Sequence, residues 1–217
     1  MALAIFDLDN TLLGGDSDFL WGRYLCENGI VEEADYRRAN EHYYQQYLEG
    51  SLDIYDFLEF VFKPLATHDM DTLLQWREAY LEQKIKPIML PAAEQLVEKH
   101  RAQGDTLLII TATNSFLTTP IANLLGIEHL IATEPEVADG RFTGRVAGKP
   151  SFQHGKVERL RGWLSDRDET LAGSIFYSDS HNDLPLLELV DTPIAVDPDP
   201  KLKAEAQQRG WKILSLR

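Results

Sequence analysis

The sequence predicts a doubly wound, parallel α/β sheet of the Rossmann-like kind, with a helical bundle set in after the first strand. Three observations carry this. From residue 87 onward, short apolar runs alternate with helical stretches, as strands buried on both faces and their crossovers require. Another such run, Leu3-Ala4-Ile5-Phe6, stands almost at the first residue and stops at Asp7 and Asp9. Between them, over 14–86, strand signals vanish and apolar residues recur at helical spacing. The core domain is thus expected at 1–13 and 87–217, with a helical cap at 14–86 over the carboxyl end of the first strand.

After Leu13, Gly14-Gly15 form a turn, and Asp16 or Ser17 can cap a first helix. Further helices are expected at about 32–48, 54–61 and 69–85. The bundle's aromatics (Trp21, Tyr43, Tyr44, Tyr47, Phe57, Phe60, Trp76) read as its core. Pro87 and Pro91 mark the return to the sheet, because paired prolines disfavour helix and central strand alike. Helices then follow at 92–103, 115–125, 152–164, 182–189 and 200–209, and strands at 106–111, 129–132, 174–178, 192–196 and 211–216. Asp139-Gly140, between Glu136-Val137-Ala138 and Phe142-Thr143-Gly144-Arg145, signals a hairpin.

With 44% hydrophobic and 26% charged residues, the composition is that of an ordinary globular protein. A formal net charge of −14, spread along the chain, argues against nucleic acid or anionic membrane as partners. Cys26 is the single cysteine, so no internal disulfide can form and a reducing compartment is expected. No apolar stretch approaches a membrane span. With chemistry expected at residue 7, a removable leader has no room, and the chain reads as cytoplasmic.

The residues closing the strands carry the chemistry. Asp7 and Asp9, two apart in extended backbone, project together where open α/β sheets bind ligands. Two carboxylates this close repel unless a cation or shared proton offsets them. Thr111-Ala112-Thr113-Asn114 offers hydroxyls and backbone N–H groups before a helix, which suits an anion or, more simply, an N-cap. Asp179-Ser180-His181-Asn182-Asp183 adds two more acids. Four acids at two strand ends call for a hard cation, and Mg²⁺, which takes a few carboxylates, waters and substrate phosphate, fits. An EF-hand does not, because the Gly and distal Glu are missing. Lys156 offers a point charge at the start of a helix, and His181 reads as a loop histidine in solvent.

Asp7-Leu8-Asp9-Asn10-Thr11, Thr111, Lys156 and Asp179-x-x-x-Asp183 resemble, in order and context, the four motifs of the haloacid dehalogenase superfamily. The insert after the first strand is similar to the cap of its phosphoserine-phosphatase-like branch. The resemblance implies that Asp7 is the nucleophile and forms an aspartyl-phosphate. Asp9 would be the general acid and base. Mg²⁺ would be held by Asp7, the Asp9 carbonyl and Asp179, with Asp183 in support, and Thr111, Ala112, Thr113 and Lys156 would hold the phosphate. The second acid, Asp9, implies a phosphatase rather than a dehalogenase. A phosphotransferase would share every one of these residues, and a non-catalytic phosphate-binding module would not need both acids.

The expected substrate is a small phosphorylated metabolite. Asp16 stands nine residues after the nucleophile, where relatives read a substrate ammonium; a helix cap is the competing role. Those relatives also carry a cap arginine for a substrate carboxylate, whereas Glu49-Gly50-Ser51-Leu52-Asp53-Ile54-Tyr55-Asp56-Phe57-Leu58-Glu59 has none. Arg23, Arg37, Arg38 and Lys63 remain as substitutes. An amine without a carboxylate fits better than phosphoserine, and histidinol phosphate is the leading expectation.

Overall fold

In the computed structural model, which describes residues 2–217, strand β1 (Leu3–Phe6) is buried at all four positions. It lies at the sheet's centre, between β2 (Thr106–Asn114) and β5 (Ile175–Ser178), parallel to both. Outside β2 lie β3 (His129–Ala138) and then β4 (Arg141–Ala147); outside β5 lie β6 (Thr192–Val196) and β7 (Lys212–Leu214). Only β4 runs antiparallel to its neighbour. The chain winds outward one way through β2 and β3, then resumes on the other side at β5. That reversal opens a crevice at the carboxyl ends of β1, β2 and β5, the usual ligand position in such sheets.

Alternation along β1 divides the core. Ala4 and Phe6 join the cluster containing Ile109 and Tyr177, while Leu3 and Ile5 join Leu108, Ile110 and Phe176 on the opposite face. Helices α5 (Pro91–Ala102) and α6 (Ser115–Leu124) contribute Val97 and Leu117 to the first cluster; α7 (His154–Ser165) and α9 (Pro200–Arg209) contribute Leu160 and Leu202 to the second. A short helix, α8 (Leu184–Leu187), follows β5.

The stretch between β1 and α5 is helical: α1 (Ser17–Glu27), α2 (Glu33–Glu49), α3 (Ile54–Thr67) and α4 (Met70–Tyr80), with a π-turn at Leu81–Ile85 and a 3₁₀ turn at Lys86–Ile88. Trp21, Phe62 and Tyr80 bury themselves in the cluster that also holds Phe6, so insert and sheet share one core. Chain entry and exit meet: Leu13 pairs with Met89 in an isolated antiparallel bridge, and the Gly14 N–H donates to the Ile88 carbonyl at 2.7 Å.

The hairpin lies at its expected position, with positive φ at both Asp139 (50°) and Gly140 (75°), as a type I′ turn demands. Several boundaries differ. Helix α3 runs beyond 61 to Thr67 with Pro64 inside it. Helix α4 gives way after Tyr80 to a π-turn that the Lys86 N–H closes on the Leu81 carbonyl, one residue before Pro87. β2 continues past Thr111 to Asn114, its register with β3 shifting between Ile110 and Asn114. β3 forms one strand across both the 129–132 and 136–138 segments. Among the described residues no helix is long and apolar enough to cross a membrane.

Beneath β1, His100 of α5 bridges Asp105 Oδ2 and the Tyr177 hydroxyl, each at 2.8 Å, and the Tyr177 ring stacks on Phe6 at 5.2 Å. Burial opposes the Asp105 charge, but His100 and the Ala2 N–H hold its carboxyl below the usual range. A folded-state pKa below the unfolded one stabilises above the unfolded value and is lost as pH falls. Asp105→Asn is expected to cost about 1–3 kcal/mol at neutral pH. Melting curves should show wild type and variant converging below about pH 4, the unfolded carboxyl range.

Candidate active site

The chain leaves β1 at Phe6 and turns sharply, with Asn10 at φ 57° and its N–H bonded to the Gly15 carbonyl at 3.0 Å. This turn sets Asp7 and Asp9 at the mouth of the crevice. Asp7 is buried, and the Lys156 ammonium, brought by the first turn of α7, donates to its Oδ1 at 2.7 Å. The same ammonium donates to Asp183 Oδ2 at 2.8 Å, which also accepts from the Ser178 hydroxyl at 2.7 Å. Burial raises Asp7 to about 7, with Lys156 opposing and Asp183 and Asp9 adding to the rise. Burial also works against the Lys156 charge, yet Asp183 and Asp7 outweigh it and hold the ammonium protonated.

Asp9 is fixed differently. Its Oδ1 accepts from the Ser17 N–H at 2.6 Å, at the start of α1, and its Oδ2 accepts from the Thr113 hydroxyl at 2.8 Å. The Thr111 hydroxyl lies 3.5 Å from the same oxygen and accepts from the Thr113 N–H at 3.2 Å. Burial raises the Asp9 carboxyl despite these donors. Asn114 caps α6 through the Leu117 N–H at 3.2 Å. The cap reading is thus met by Asn114, while the hydroxyls of Thr111 and Thr113 face Asp9.

Asp179 joins from β5. The Thr11 hydroxyl sits 3.2 Å from Asp179 Oδ1 and 3.4 Å from Asp7 Oδ2, and accepts from the Asp179 N–H at 3.1 Å, so one threonine draws the two carboxylates together. Burial, then Asp7 and Asp183, push Asp179 well above the ordinary carboxylate range. Among the described residues no three His, Cys, Asp or Glu side chains form a ready chelate. The donors here are oxygens alone, and their crowded negative charge exceeds what Lys156 neutralises. That suits Mg²⁺, which takes one or two carboxylates and completes its octahedron with water and phosphate.

Asp7, Asp9, Asp16, Thr111, Ala112, Thr113, Lys156 and Asp183 all line one pocket; Asp179 stands beside it, joined through Thr11. Asp16 caps α1, accepting from the Phe19 N–H at 2.8 Å, and lines the pocket as well. The aromatic expectation needs correction. Trp21 is core, and Phe57, Phe60 and Trp76 pack against that core, but Tyr43, Tyr44 and Tyr47, with one side of Phe57, line the pocket together with Phe19 and Phe152. Helical spacing cannot tell an apolar face that packs on a sheet from one that covers a cavity. Asp18, Asn40 and Asn182 also line the pocket and carried no signal in the sequence. Among the described residues Lys156 is its one Lys or Arg. Arg23, Arg37 and Arg38 instead pair with Glu27, Glu33 and Asp35, and Lys63 lines a separate groove.

His181 does not stand free in solvent: its Nδ1 lies 2.8 Å from Asp199 Oδ2, and its Nε2 lies 2.7 Å from where a Cβ on Gly50 would sit. The carboxyl end of α2 rests here, with the Asn182 amide donating to the Tyr47 carbonyl at 3.0 Å and Lys201 to the Glu49 carbonyl at 2.6 Å.

The haloacid dehalogenase-like hydrolase family matches residues 4–188 of this sequence. The chain belongs to that family. This haloacid dehalogenase-like hydrolase is 44% identical to a protein named histidinol-phosphatase from Neisseria meningitidis, the alignment covering 99% of each chain. It is 31% identical to a phosphoserine phosphatase of Mycobacterium tuberculosis, over 100% of this chain and 71% of that one. A solved Bordetella pertussis protein of unknown function superposes with a TM-score of 0.94 at 44% identity, covering 100% of this chain and 99% of the other. A phosphoserine phosphatase solved as a phospho-aspartyl intermediate analogue shares the fold, with a TM-score of 0.73 at 19% identity over 100% and 93% of the two chains. The protein is an enzyme, a phosphatase-type hydrolase of this family.

Lys156 depends on its neighbour. A Cβ on Gly155 would lie 2.1 Å from the Pro150 carbonyl oxygen, so Gly155→Ala must push the start of α7 away. A displacement near 1 Å is expected to cut phosphate release about a hundredfold. Steady-state kinetics beside an unchanged far-ultraviolet circular dichroism spectrum would check it.

Proposed function

We propose that this enzyme is a Mg²⁺-dependent phosphomonoester hydrolase that works through an aspartyl-phosphate on a small, amine-bearing metabolite, histidinol phosphate foremost. The observation that carries the reading is the floor of the pocket. Asp7 lies against Lys156, and Asp9 is held apart from it by Ser17 and Thr113.

In the first half-reaction the Asp7 carboxylate attacks phosphorus, and the P–O bond to the alcohol breaks. Asp9 delivers a proton to the departing oxygen. In the second, Asp9 takes a proton from water, which attacks phosphorus and breaks the bond to Asp7, releasing inorganic phosphate. Lys156, the Thr111 hydroxyl and the backbone around Ala112 and Thr113 would face the equatorial oxygens, where charge builds up. Asp7, the Asp9 carbonyl and Asp179 would hold Mg²⁺, with Asp183 supporting through Lys156. Bound there, Mg²⁺ would neutralise phosphate charge and align it for in-line attack. Helices α1–α4 act as a cap domain over the leaving group and limit water.

The pocket's charge supports the substrate class. Asp16 and Asp18 stand beside the aromatic wall, and Lys156 is already paired with two carboxylates. A substrate carboxylate would find no partner there, and an unpaired buried charge costs roughly 2–5 kcal/mol. An ammonium and an imidazole ring suit acids and aromatic faces. The name of the 44%-identical Neisseria protein points the same way.

Histidinol phosphate should be hydrolysed with a higher kcat/KM than phosphoserine or sugar phosphates in a phosphate-release panel. The reverse order for phosphoserine would overturn the substrate. Asp7→Asn should abolish release. Asp9→Asn should lower kcat about a hundred- to ten-thousandfold, the usual share of general acid–base catalysis. Chelation by EDTA should stop turnover, and added Mg²⁺ should restore it.

A further inference from the structure

We propose that Asp18 determines specificity by pairing its carboxylate with a cationic nitrogen of the leaving group. This rests on the phosphatase reading above and deepens it.

Asp18 lines the pocket yet is only 8% exposed. Its Oδ2 is buried without a hydrogen-bond partner, and its Oδ1 has a single long contact, 3.5 Å from the Asn114 amide. A carboxylate placed so costs free energy unless something compensates it. The usual reason for an acid in a helix's first turn does not explain the burial. Attraction to the helix N-terminus is available to an exposed side chain, and capping is already done by Asp16. Among the described residues the pocket's one Lys or Arg is Lys156, and its ammonium is held between Asp7 and Asp183. A cationic group on the ligand would supply the missing partner. Burial, with Asp9 adding to it, raises the unliganded Asp18 to about 7, and an ion pair would reverse that penalty. Asp16 stands two residues away on the same pocket wall, so a leaving group carrying two basic nitrogens would meet two acids.

The test uses a matched pair, aminopropyl phosphate and propyl phosphate, alongside histidinol phosphate. Wild type should favour the amine. Asp18→Asn should reduce that preference at least about tenfold, in KM more than kcat, because a charge-assisted hydrogen bond is lost. Turnover of propyl phosphate should fall far less than that of the amine, since Asp18 touches neither phosphate nor nucleophile in this scheme. An unchanged preference, or an equal fall on both substrates, would overturn the pairing. Asp18→Glu keeps the charge and advances it by one methylene, so its preference should move toward aminoethyl phosphate. If Asp18→Asn does not fold, an unmoved preference in Asp18→Glu overturns the proposal by itself. The two readings separate cleanly. A preference that collapses in Asp18→Asn while histidinol phosphate proves a poor substrate leaves the pairing standing and removes the substrate identity. Good turnover of histidinol phosphate with the preference intact does the opposite.

Discussion

Everything at this site depends on one ammonium placed where water is excluded. Lys156 is 3% exposed and lies within hydrogen-bond reach of Asp7 and Asp183, groups that come from the ends of two different strands. Desolvating three charged groups is expensive, and only close geometry with every donor used repays it. The triad therefore demands that β1, β5 and the start of α7 arrive together. The sheet meets that demand, because β1 and β5 are direct neighbours in register and Gly155 lets α7 approach the Pro150 carbonyl. The cost is partly met by arrangement: the Ser178 hydroxyl also donates to Asp183 Oδ2, and the Thr11 hydroxyl lies 3.4 Å from Asp7's other oxygen.

Crowding that would destabilise an inert protein is the chemical content of this one. Asp7, Asp9, Asp179 and Asp183 occupy the sheet's switch point with a single permanent cation among them. The two acids nearest the reaction are held in unlike surroundings. Asp7 is held by a charge, and Asp9 by a backbone N–H and a hydroxyl. Neighbouring carboxyl groups given different environments can take different roles, one attacking and the other moving protons.

Much of this was legible in the sequence, and for physical reasons. A strand buried on both faces is a continuous apolar run, so β1, β2 and β5 announce themselves. The acids and hydroxyls that close them are local in sequence and local in space. The insert was legible as helices but not as a surface. Tyr43, Tyr44, Tyr47 and Phe57 present the same periodicity whether they meet a core or a cavity, and only the tertiary path of α2 and α3 decides. Asp18 was hidden for a related reason. An acid in the first turn of a helix is commonplace, and the one polar side chain among the described residues within hydrogen-bond reach of it, Asn114, is 96 positions away. Boundaries moved where a proline was tolerated inside a helix, as at Pro64, or where a strand bent without ending, as after Ile110.

The bridge between Leu13 and Met89 has a consequence for descent with modification. The polypeptide leaves and rejoins the sheet at neighbouring points, so no strand of the sheet lies within the insert. Changes in the insert that keep its share of the core, such as Trp21, Phe62 and Tyr80, need not alter the register of β1 against β2. Asp7, Asp9, Lys156, Asp179 and Asp183 stand on the sheet side of that seam, while Asp16, Asp18 and the tyrosine wall lie on the inserted side. A lineage can thus trade one leaving group for another by rewriting a single contiguous stretch, with the phosphoryl chemistry left untouched.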